Sequence, residues 1–296
     1  MISRREWMAA SAGVAIGGAV QSALGQDKAK TLEFCAFIKF LQELSYPDLA
    51  RKISELGFDG IEATVRDGGH VLPERVEEDL PRLVEALKKE NLNLTIMASS
   101  VNSAKHPLTE KVLRTAARLG VKRYRLAYLR YDLSRPIPLQ LKEHSDQLRE
   151  LAAMNKDLGI AGIYQNHAGA TTVGSAIWDI HEILKDISPE EISVAYDIRH
   201  ATVEGGHNWP LNLELIKPQI GALYVKDFTW KAGTRDAVNV PLGEGRVNPR
   251  FFDIARSFFQ GPVSLHVEYL PAAGIQANLQ AIKADFETLR ELMPVS

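Results

Sequence analysis

The sequence Val194-Ala195-Tyr196-Asp197-Ile198-Arg199-His200 joins a short apolar strand directly to charged and imidazole side chains. Three other stretches share this form: Ile163-Tyr164-Gln165-Asn166-His167, Leu223-Tyr224-Val225-Lys226-Asp227 and Leu265-His266-Val267-Glu268. Polar groups at the end of an apolar strand are costly in a core, but not where strand ends open into a shared pocket. The four stretches therefore predict a site at one rim of a barrel.

Strand-like and helical patterns alternate along the chain from residue 31. The predicted strands cover residues 32–37, 58–65, 92–98, 121–129, 160–166, 192–198, 220–228 and 263–269. The predicted helices cover residues 46–56, 74–90, 108–119, 139–158, 176–187, 211–216, 251–259 and 275–292. Eight such units in about 270 residues predict an α/β fold, a single (β/α)8 TIM barrel with a parallel sheet. The irregular segments 99–107, 201–210 and 229–248 follow strands and are predicted to be rim loops.

The N-terminus carries the features of an export signal. Ser3-Arg4-Arg5-Glu6-Trp7-Met8 is a twin-arginine pattern, residues 9–20 are small or apolar, and Ala23-Leu24-Gly25 offers a cleavage site. We therefore expect residues 1–26 to direct export by the twin-arginine route, and residues 27–296 to form the barrel in the periplasm or beyond. No permanent membrane span is expected after cleavage, and a membrane anchor or disordered tail is the alternative.

Composition excludes several classes of partner. The net charge is -2 and no basic run is interleaved with aromatic residues, so nucleic acid is not an expected partner. Cys35 is the only cysteine, which excludes an intramolecular disulfide and a cysteine-based metal site. The expected partner is a small carbohydrate, and a homodimer remains open.

The candidate site residues lie where strand alternation directs them to one centre. Asp197, Lys226 and Glu268 would each be a charge on an inward strand end, which needs a ligand, a metal or a counter-charge. Such a set is able to bind a divalent cation or to polarise a sugar carbonyl. His200 follows in the loop after the sixth strand and is a further catalytic candidate. The side chains expected to bind substrate around this centre are Glu62, Arg125, His167, Arg199, Trp209 and Trp230.

Some of these residues also have a structural interpretation. Glu62 is equally well explained as the partner of an arginine at the rim. His266 precedes Glu268 by two residues on the same face of the eighth strand, so it should lie deeper in the barrel. This position fits a hydrogen-bonded core histidine. Asp227 should point away from the barrel axis if Lys226 points inward, so it is a candidate to cap the loop that follows.

Six motifs occur in the order and spacing of a known family: Gly57-Phe58-Asp59-Gly60-Ile61-Glu62, Asn166-His167, Asp197-Ile198-Arg199-His200, Val225-Lys226-Asp227, Pro241-Leu242-Gly243-Glu244-Gly245 and Val267-Glu268-Tyr269. With these motifs the mature chain resembles the xylose isomerase-like TIM barrels, also called the sugar phosphate isomerase/epimerase family. The resemblance implies a barrel enzyme that acts on sugars.

The same resemblance implies one divalent metal (Mn, Mg or Zn) bound by a Glu, an Asp, a His and a Glu on strands five to eight. The matching positions are Gln165, Asp197, Tyr224 and Glu268. Gln165 offers no charge, and Tyr224 is a poor ligand unless ionised, with an ordinary pKa of about 10. The expected metal site is therefore the incomplete set Gln165, Asp197 and Glu268. In the alternative without a metal, Lys226 supplies the positive charge.

These residues predict an exported isomerase or epimerase that removes a proton next to the carbonyl of a sugar or keto-sugar. Glu268 is the expected base, Lys226 the electrophile and His200 the acid. Two alternatives stay open. One is a keto-sugar lyase or dehydratase, and the other is a periplasmic carbohydrate-binding barrel without catalysis.

Overall fold

The computed structural model describes residues 32–294. The predicted export signal, residues 1–26, lies outside the described residues. Within residues 32–294, no helix is both long enough and apolar enough to cross a bilayer.

Eight parallel strands close into a barrel. They are Glu33–Phe37 (β1), Gly60–Val65 (β2), Asn93–Ser99 (β3), Arg123–Arg125 (β4), Ala161–Gln165 (β5), Ile192–Asp197 (β6), Ile220–Val225 (β7) and Pro262–Leu265 (β10). Their order around the barrel is β1-β10-β7-β6-β5-β4-β3-β2. β1 closes the barrel by pairing with β10 on one side and with β2 on the other. The predicted (β/α)8 barrel is confirmed.

Helices follow the strands and pack around the barrel. They are Tyr46–Glu55 (α1), Val76–Lys89 (α2), Thr109–Arg118 (α3), Ile137–Leu158 (α4), Trp178–Leu184 (α5), Ile198–Gly205 (α6), Trp209–Ile216 (α7), Arg250–Phe258 (α8) and Ile275–Leu292 (α9). Three short 3-10 helices cover Pro73–Arg75, Gly206–Asn208 and Lys217–Gln219. Local sequence sets the ends: the Ser45 side chain accepts the Asp48 N–H before α1, and Gly159 ends α4 with a φ of 67°.

The segment 201–210, expected to be a loop, is largely helical. Asp197 caps α6, because its carboxylate accepts the His200 N–H at 3.1 Å. α6 therefore begins immediately after β6, and α7 begins at Trp209, two residues before its predicted start. Strand four is shorter than expected. The Ala127 N–H bonds to the carbonyl of Val101, which follows β3, so the chain departs from the barrel sheet there.

The segment 229–248, also expected to be irregular, contains part of an antiparallel hairpin outside the barrel. Asp227–Trp230 (β8) pairs with Ala237–Val240 (β9). The Asp227 carboxylate holds the base of this hairpin by accepting the N–H groups of Gly243, Gly245 and Val247 at 3.1, 3.1 and 3.0 Å. Asp227 therefore caps this loop, as its outward position on the strand predicted.

Candidate active site at the barrel mouth

Lys226 occupies the centre of the mouth, which is the end of the barrel where the strands terminate. Its ammonium lies 2.8 Å from a Glu268 oxygen and 3.3 Å from an Asp197 oxygen. The Lys226 side chain is 5% exposed and Asp197 is fully buried. Burial alone would lower the pKa of Lys226, but Asp197 and Glu268 raise it above its ordinary value. Lys226 is therefore a buried cation between two carboxylates.

Glu268 is the more accessible carboxylate, with 16% of its side chain exposed. Its other oxygen lies 3.4 Å from the ammonium of Lys39, which stands at the outer side of the mouth. Burial alone would raise the pKa of Glu268, but Lys226, His266 and Lys39 hold it well below the usual range. Glu268 is consequently ionised throughout the physiological pH range.

Asp197 is fixed from several sides. Its carboxylate accepts the Gln165 amide N–H at 2.7 Å and the His200 backbone N–H at 3.1 Å. Asn166 bonds both the N–H and the carbonyl of Asp197, at 2.7 and 2.9 Å. This bonding explains the Asn166-His167 motif on the fifth strand: Asn166 fixes the end of the neighbouring strand and thereby the position of the Asp197 carboxylate.

Glu62 lies below the mouth in a buried polar cluster. Its oxygens accept Tyr224 O–H at 3.0 Å and Ser264 O–H at 2.7 Å, and His266 Nε2 lies 3.0 Å away. Arg125 Nε lies 3.4 Å from the same carboxylate. Burial alone would raise the pKa of Glu62, but His266 and Arg125 lower it. Glu62 thus has the arginine partner that was one of its two interpretations from the sequence. Both Glu62 and Arg125 are buried in this cluster, which does not fit the other expectation, that they contact substrate.

His200 and His167 are in contact at the rim, with ring centroids 3.8 Å apart and ring planes tilted by 37°. The backbone N–H of Ala168 donates to His200 Nδ1 at 3.2 Å, so the proton of neutral His200 is on Nε2. His167 Nδ1 lies 2.8 Å from the Ala168 carbonyl, which only accepts, so His167 Nε2 carries a lone pair. Burial and Lys226 lower both pKa values, that of His167 to about 4 and that of His200 well below 6.5. The pair thus offers one N–H donor and one nitrogen acceptor.

His200 Nε2 is buried and has no hydrogen-bond partner within residues 32–294, and it lies 3.7 Å from an Asp197 oxygen. Buried polar atoms without partners are uncommon in folded proteins. This donor is therefore available to an oxygen atom of a bound molecule next to Asp197 and Lys226.

The remaining predicted residues divide between the mouth and the core. Arg199 is buried beside His200, with its guanidinium over the Phe228 ring at 5.4 Å. Trp230 lies on the hairpin and is 38% exposed. Trp209 does not fit its expected role on a sugar ring, because it is buried in the core and its ring packs edge-on against Phe251.

The donor set at the mouth does not fit a divalent metal. Gln165 Oε1 already accepts from Arg125 at 2.6 Å and from Tyr128 at 2.6 Å, and Tyr224 is turned to Glu62. The pKa of the Tyr224 phenol is raised by burial and by Glu62, so it stays protonated. An ammonium already lies between Asp197 and Glu268. Among residues 32–294, no three His, Cys, Asp or Glu side chains converge as metal ligands.

Three residues at the mouth were not predicted from the sequence: Lys39, Arg66 and Tyr128. Lys39 follows β1 and lies near Glu268, 229 residues further along the chain. Tyr128 follows β4, donates to Gln165 and packs against His167 with centroids 4.7 Å apart. Strand alternation offered a signal for Lys39, which is two residues beyond the inward Phe37.

Comparison with known proteins agrees with this architecture. A family model described as xylose isomerase-like TIM barrel matches residues 50–292. A putative xylose isomerase from Rhodospirillum rubrum has a TM-score of 0.70 at 17% identity, covering 89% of this chain and 100% of that chain. A probable 3-DHS dehydratase from Bacillus anthracis has a TM-score of 0.68 at 17% identity, covering 87% and 98%. A 3-keto-D-glucoside 4-epimerase from E. coli has a TM-score of 0.66 at 16% identity, covering 87% and 100%. No curated protein sequence gives a significant match.

Proposed function

This chain belongs to the xylose isomerase-like TIM barrel family, and we propose that it is an enzyme that removes a proton next to the carbonyl of a sugar or keto-sugar. The observation that carries the proposal is the buried ammonium of Lys226 between the carboxylates of Glu268 and Asp197, at 2.8 and 3.3 Å. A cation held in a dry site by fixed partners is suited to stabilising the negative charge that forms on an enolate oxygen.

Each group has one role in this reaction. Glu268 takes the proton from the carbon next to the carbonyl. Lys226 has three N–H donors, of which one is hydrogen-bonded to Glu268, while Asp197 is an ion-pair partner at 3.3 Å. A donor therefore remains for the carbonyl oxygen. When Lys226 turns toward that oxygen, its hold on Glu268 weakens and Glu268 becomes a stronger base. Asp197 keeps the ammonium in place.

His200 donates a hydrogen bond to the substrate. Its Nε2–H has no hydrogen-bond partner within residues 32–294 and lies beside Asp197, so it is placed to donate to a substrate oxygen. The imidazole is neutral and keeps this proton. The proton that Glu268 has taken leaves with a hydroxyl group as water in an elimination, or returns to the neighbouring carbon in an isomerisation, in which the hydroxyl proton moves to the former carbonyl oxygen. His167, Arg199 and Trp230 are proposed to contact the sugar. The names of the epimerase and dehydratase with this fold are consistent with either outcome.

Deuterium exchange tests the proposal even while the product is unidentified. In D2O, the protein should exchange the proton next to the carbonyl of a suitable keto-sugar, as followed by NMR over a panel of keto-sugars. Glu268→Gln should reduce exchange by about 10³-fold or more while the circular dichroism spectrum is unchanged. Glu287→Gln, which changes an exposed carboxylate on α9, is the matched control. Undiminished exchange by Glu268→Gln would exclude Glu268 as the base.

A carbohydrate-binding barrel without catalysis is the second candidate. Gln165 favours it, because an amide stands where the family resemblance implies a carboxylate. If the protein only binds sugars, the wild type and Glu268→Gln should both show saturable sugar binding and neither should show deuterium exchange. In both cases we propose export by the twin-arginine route, which protease protection of the protein in intact cells would test.

A further inference from the structure

The charged side chains at the mouth do not balance. Five cationic groups are buried or half-buried there, namely Lys39, Arg66, Arg125, Arg199 and Lys226, against three anionic groups, Glu62, Asp197 and Glu268. His167 and His200 are neutral because burial and Lys226 lower their pKa values. Counted over these side chains alone, cations exceed carboxylates by two, although the whole chain has a net charge of -2. The exposed carboxylate of Glu204 also acts on Arg199.

Three of the five cations have carboxylate partners. Lys226 pairs with Asp197 and Glu268, Lys39 pairs with Glu268, and Arg125 pairs with Glu62. Within residues 32–294, neither Arg66 nor Arg199 lies within 4.0 Å of a carboxylate oxygen. Arg199 instead contacts neutral groups, donating to His200 Nδ1 at 3.0 Å and to the Ala237 carbonyl at 3.4 Å. Removing a cation from water without a counter-charge is unfavourable, so these two guanidinium groups are where the excess charge lies.

Arg66 is the more accessible of the two. It follows β2 directly and begins a tight loop, in which the Arg66 N–H bonds to the Val71 carbonyl at 3.1 Å and the Gly69 N–H bonds to the Arg66 carbonyl at 2.9 Å. Its side chain is half-buried, whereas Arg199 is covered. Arg66 lies four residues after Glu62, whose side chain points into the barrel, so strand alternation directs the Arg66 side chain to the same inward face at the mouth. Burial and the nearby Arg125 lower its pKa.

We propose that Arg66 binds a carboxylate of the substrate, so that the preferred substrate is a sugar acid such as a uronic or aldonic acid. This inference rests on the proposed function and adds the chemical class of its substrate. A guanidinium presents two parallel N–H donors to the two oxygens of a planar carboxylate. Arg199, buried on the opposite side of the mouth, adds positive potential that favours the same anion.

A phosphate group fits this arrangement less well. Phosphates in α/β proteins are usually bound by the free N–H groups of a helix N-terminus. At this mouth the first turn of α6 is already capped by the Asp197 carboxylate. Arg66 and Arg199 follow different strands, β2 and β6, so each presents a single guanidinium rather than a shared cradle.

Calorimetric titration of matched sugar pairs tests the proposal. The probes are D-glucuronate against D-glucose and D-galacturonate against D-galactose, with wild type, Arg66→Gln and Arg82→Gln. Arg82 is an exposed arginine on α2 and controls for loss of one positive charge. The wild type and Arg82→Gln should bind the acid of at least one pair about 10-fold or more tightly than the neutral sugar, and Arg66→Gln should reduce that preference to less than about 2-fold. Raising the salt concentration should reduce the preference as well.

Several outcomes would overturn the inference. These are equal affinity within both pairs, a preference that survives in folded Arg66→Gln, tighter binding of D-glucose 6-phosphate than of D-glucuronate, and no binding of any probe. The inference and the proposed function fail in different ways. If the protein exchanges deuterium into neutral keto-sugars but does not prefer acids, only the proposed substrate class is contradicted. If it prefers acids but exchanges deuterium into no keto-sugar, only the proposed proton abstraction is contradicted.

Discussion

Replacing Lys226 with methionine should turn the mouth of the barrel into a site that binds a divalent cation. In the wild type, a metal bound to Asp197 and Glu268 would lie close to the ammonium, which is 3.3 and 2.8 Å from their oxygens. At a separation of about 4 Å and an effective dielectric constant of about 20, a divalent ion and an ammonium repel each other by about 8 kcal/mol. Methionine keeps the unbranched apolar chain and removes this repulsion.

The same substitution leaves two carboxylates without their shared cation. Breaking a buried ion pair on one side typically costs about 3–5 kcal/mol, so the unliganded variant should be less stable than the wild type. Manganese should reverse part of that loss. With free Mn²⁺ at about 100 times its dissociation constant, the stabilisation is about 2.7 kcal/mol. For a domain of this size that corresponds to a rise of about 5–10 °C in Tm.

Thermal unfolding with and without MnCl2, together with metal analysis after gel filtration, provides the assay. Lys39→Met is the matched control, because it removes the other ammonium beside Glu268 and leaves Lys226 in place. The control and the wild type should show no Mn²⁺-dependent rise in Tm. Stoichiometric Mn²⁺ bound to the wild type, or a Lys226→Met variant whose Tm does not respond to Mn²⁺, would refute the view that the ammonium takes the place of a metal.

Three further predictions concern stability. Asp285→Asn should remove a pH dependence of the free energy of unfolding. Burial raises the pKa of Asp285 to about 6, above its ordinary 3.8. The protonated Asp285 carboxyl therefore contributes its full stability below about pH 4, and this contribution is lost as the pH rises through 6. The wild type should therefore lose up to about 3 kcal/mol relative to Asp285→Asn between pH 4 and pH 7.5 in urea titrations, and parallel curves would contradict this. Asp227→Asn should cost about 1–3 kcal/mol and accelerate proteolysis within 229–248, because it weakens bonds to three backbone N–H groups. Glu62→Gln should cost about 3–5 kcal/mol, because Arg125 loses its buried counter-charge; a loss below about 1 kcal/mol in denaturant titration would show that the two are not ion-paired.

The sequence alone was sufficient for the barrel and for its charged centre. Alternation along single strands placed Asp197, Lys226 and Glu268 on inward positions, because a strand's two faces are a local property of the chain. The same rule identified Asp227 as outward and His266 as a deeper, hydrogen-bonded residue. These predictions depend on residues that are close in sequence.

Contacts between distant segments could not be derived in this way. Glu62 bonds with Ser264 and His266, which are 202 and 204 residues away, so its burial depends on how the barrel closes. The hairpin was missed because its two strands are short and one begins within the predicted strand seven. Trp209 was expected at the mouth because its helix was predicted to start later, whereas α7 begins at Trp209 and places it against Phe251.

Lys226 and Asp227 are consecutive, yet one faces the barrel centre and the other fixes the hairpin base through Gly243, Gly245 and Val247. The base of the hairpin is thus hydrogen-bonded to the residue next to the central ammonium. The exposed tip of the hairpin, residues 231–236, lies beyond these hydrogen bonds. Exchanging that tip would alter the exposed surface of the hairpin without shifting the ammonium. For the proposed enzyme, this arrangement lets a few loop residues near the mouth vary while the central ammonium and its two carboxylates are retained.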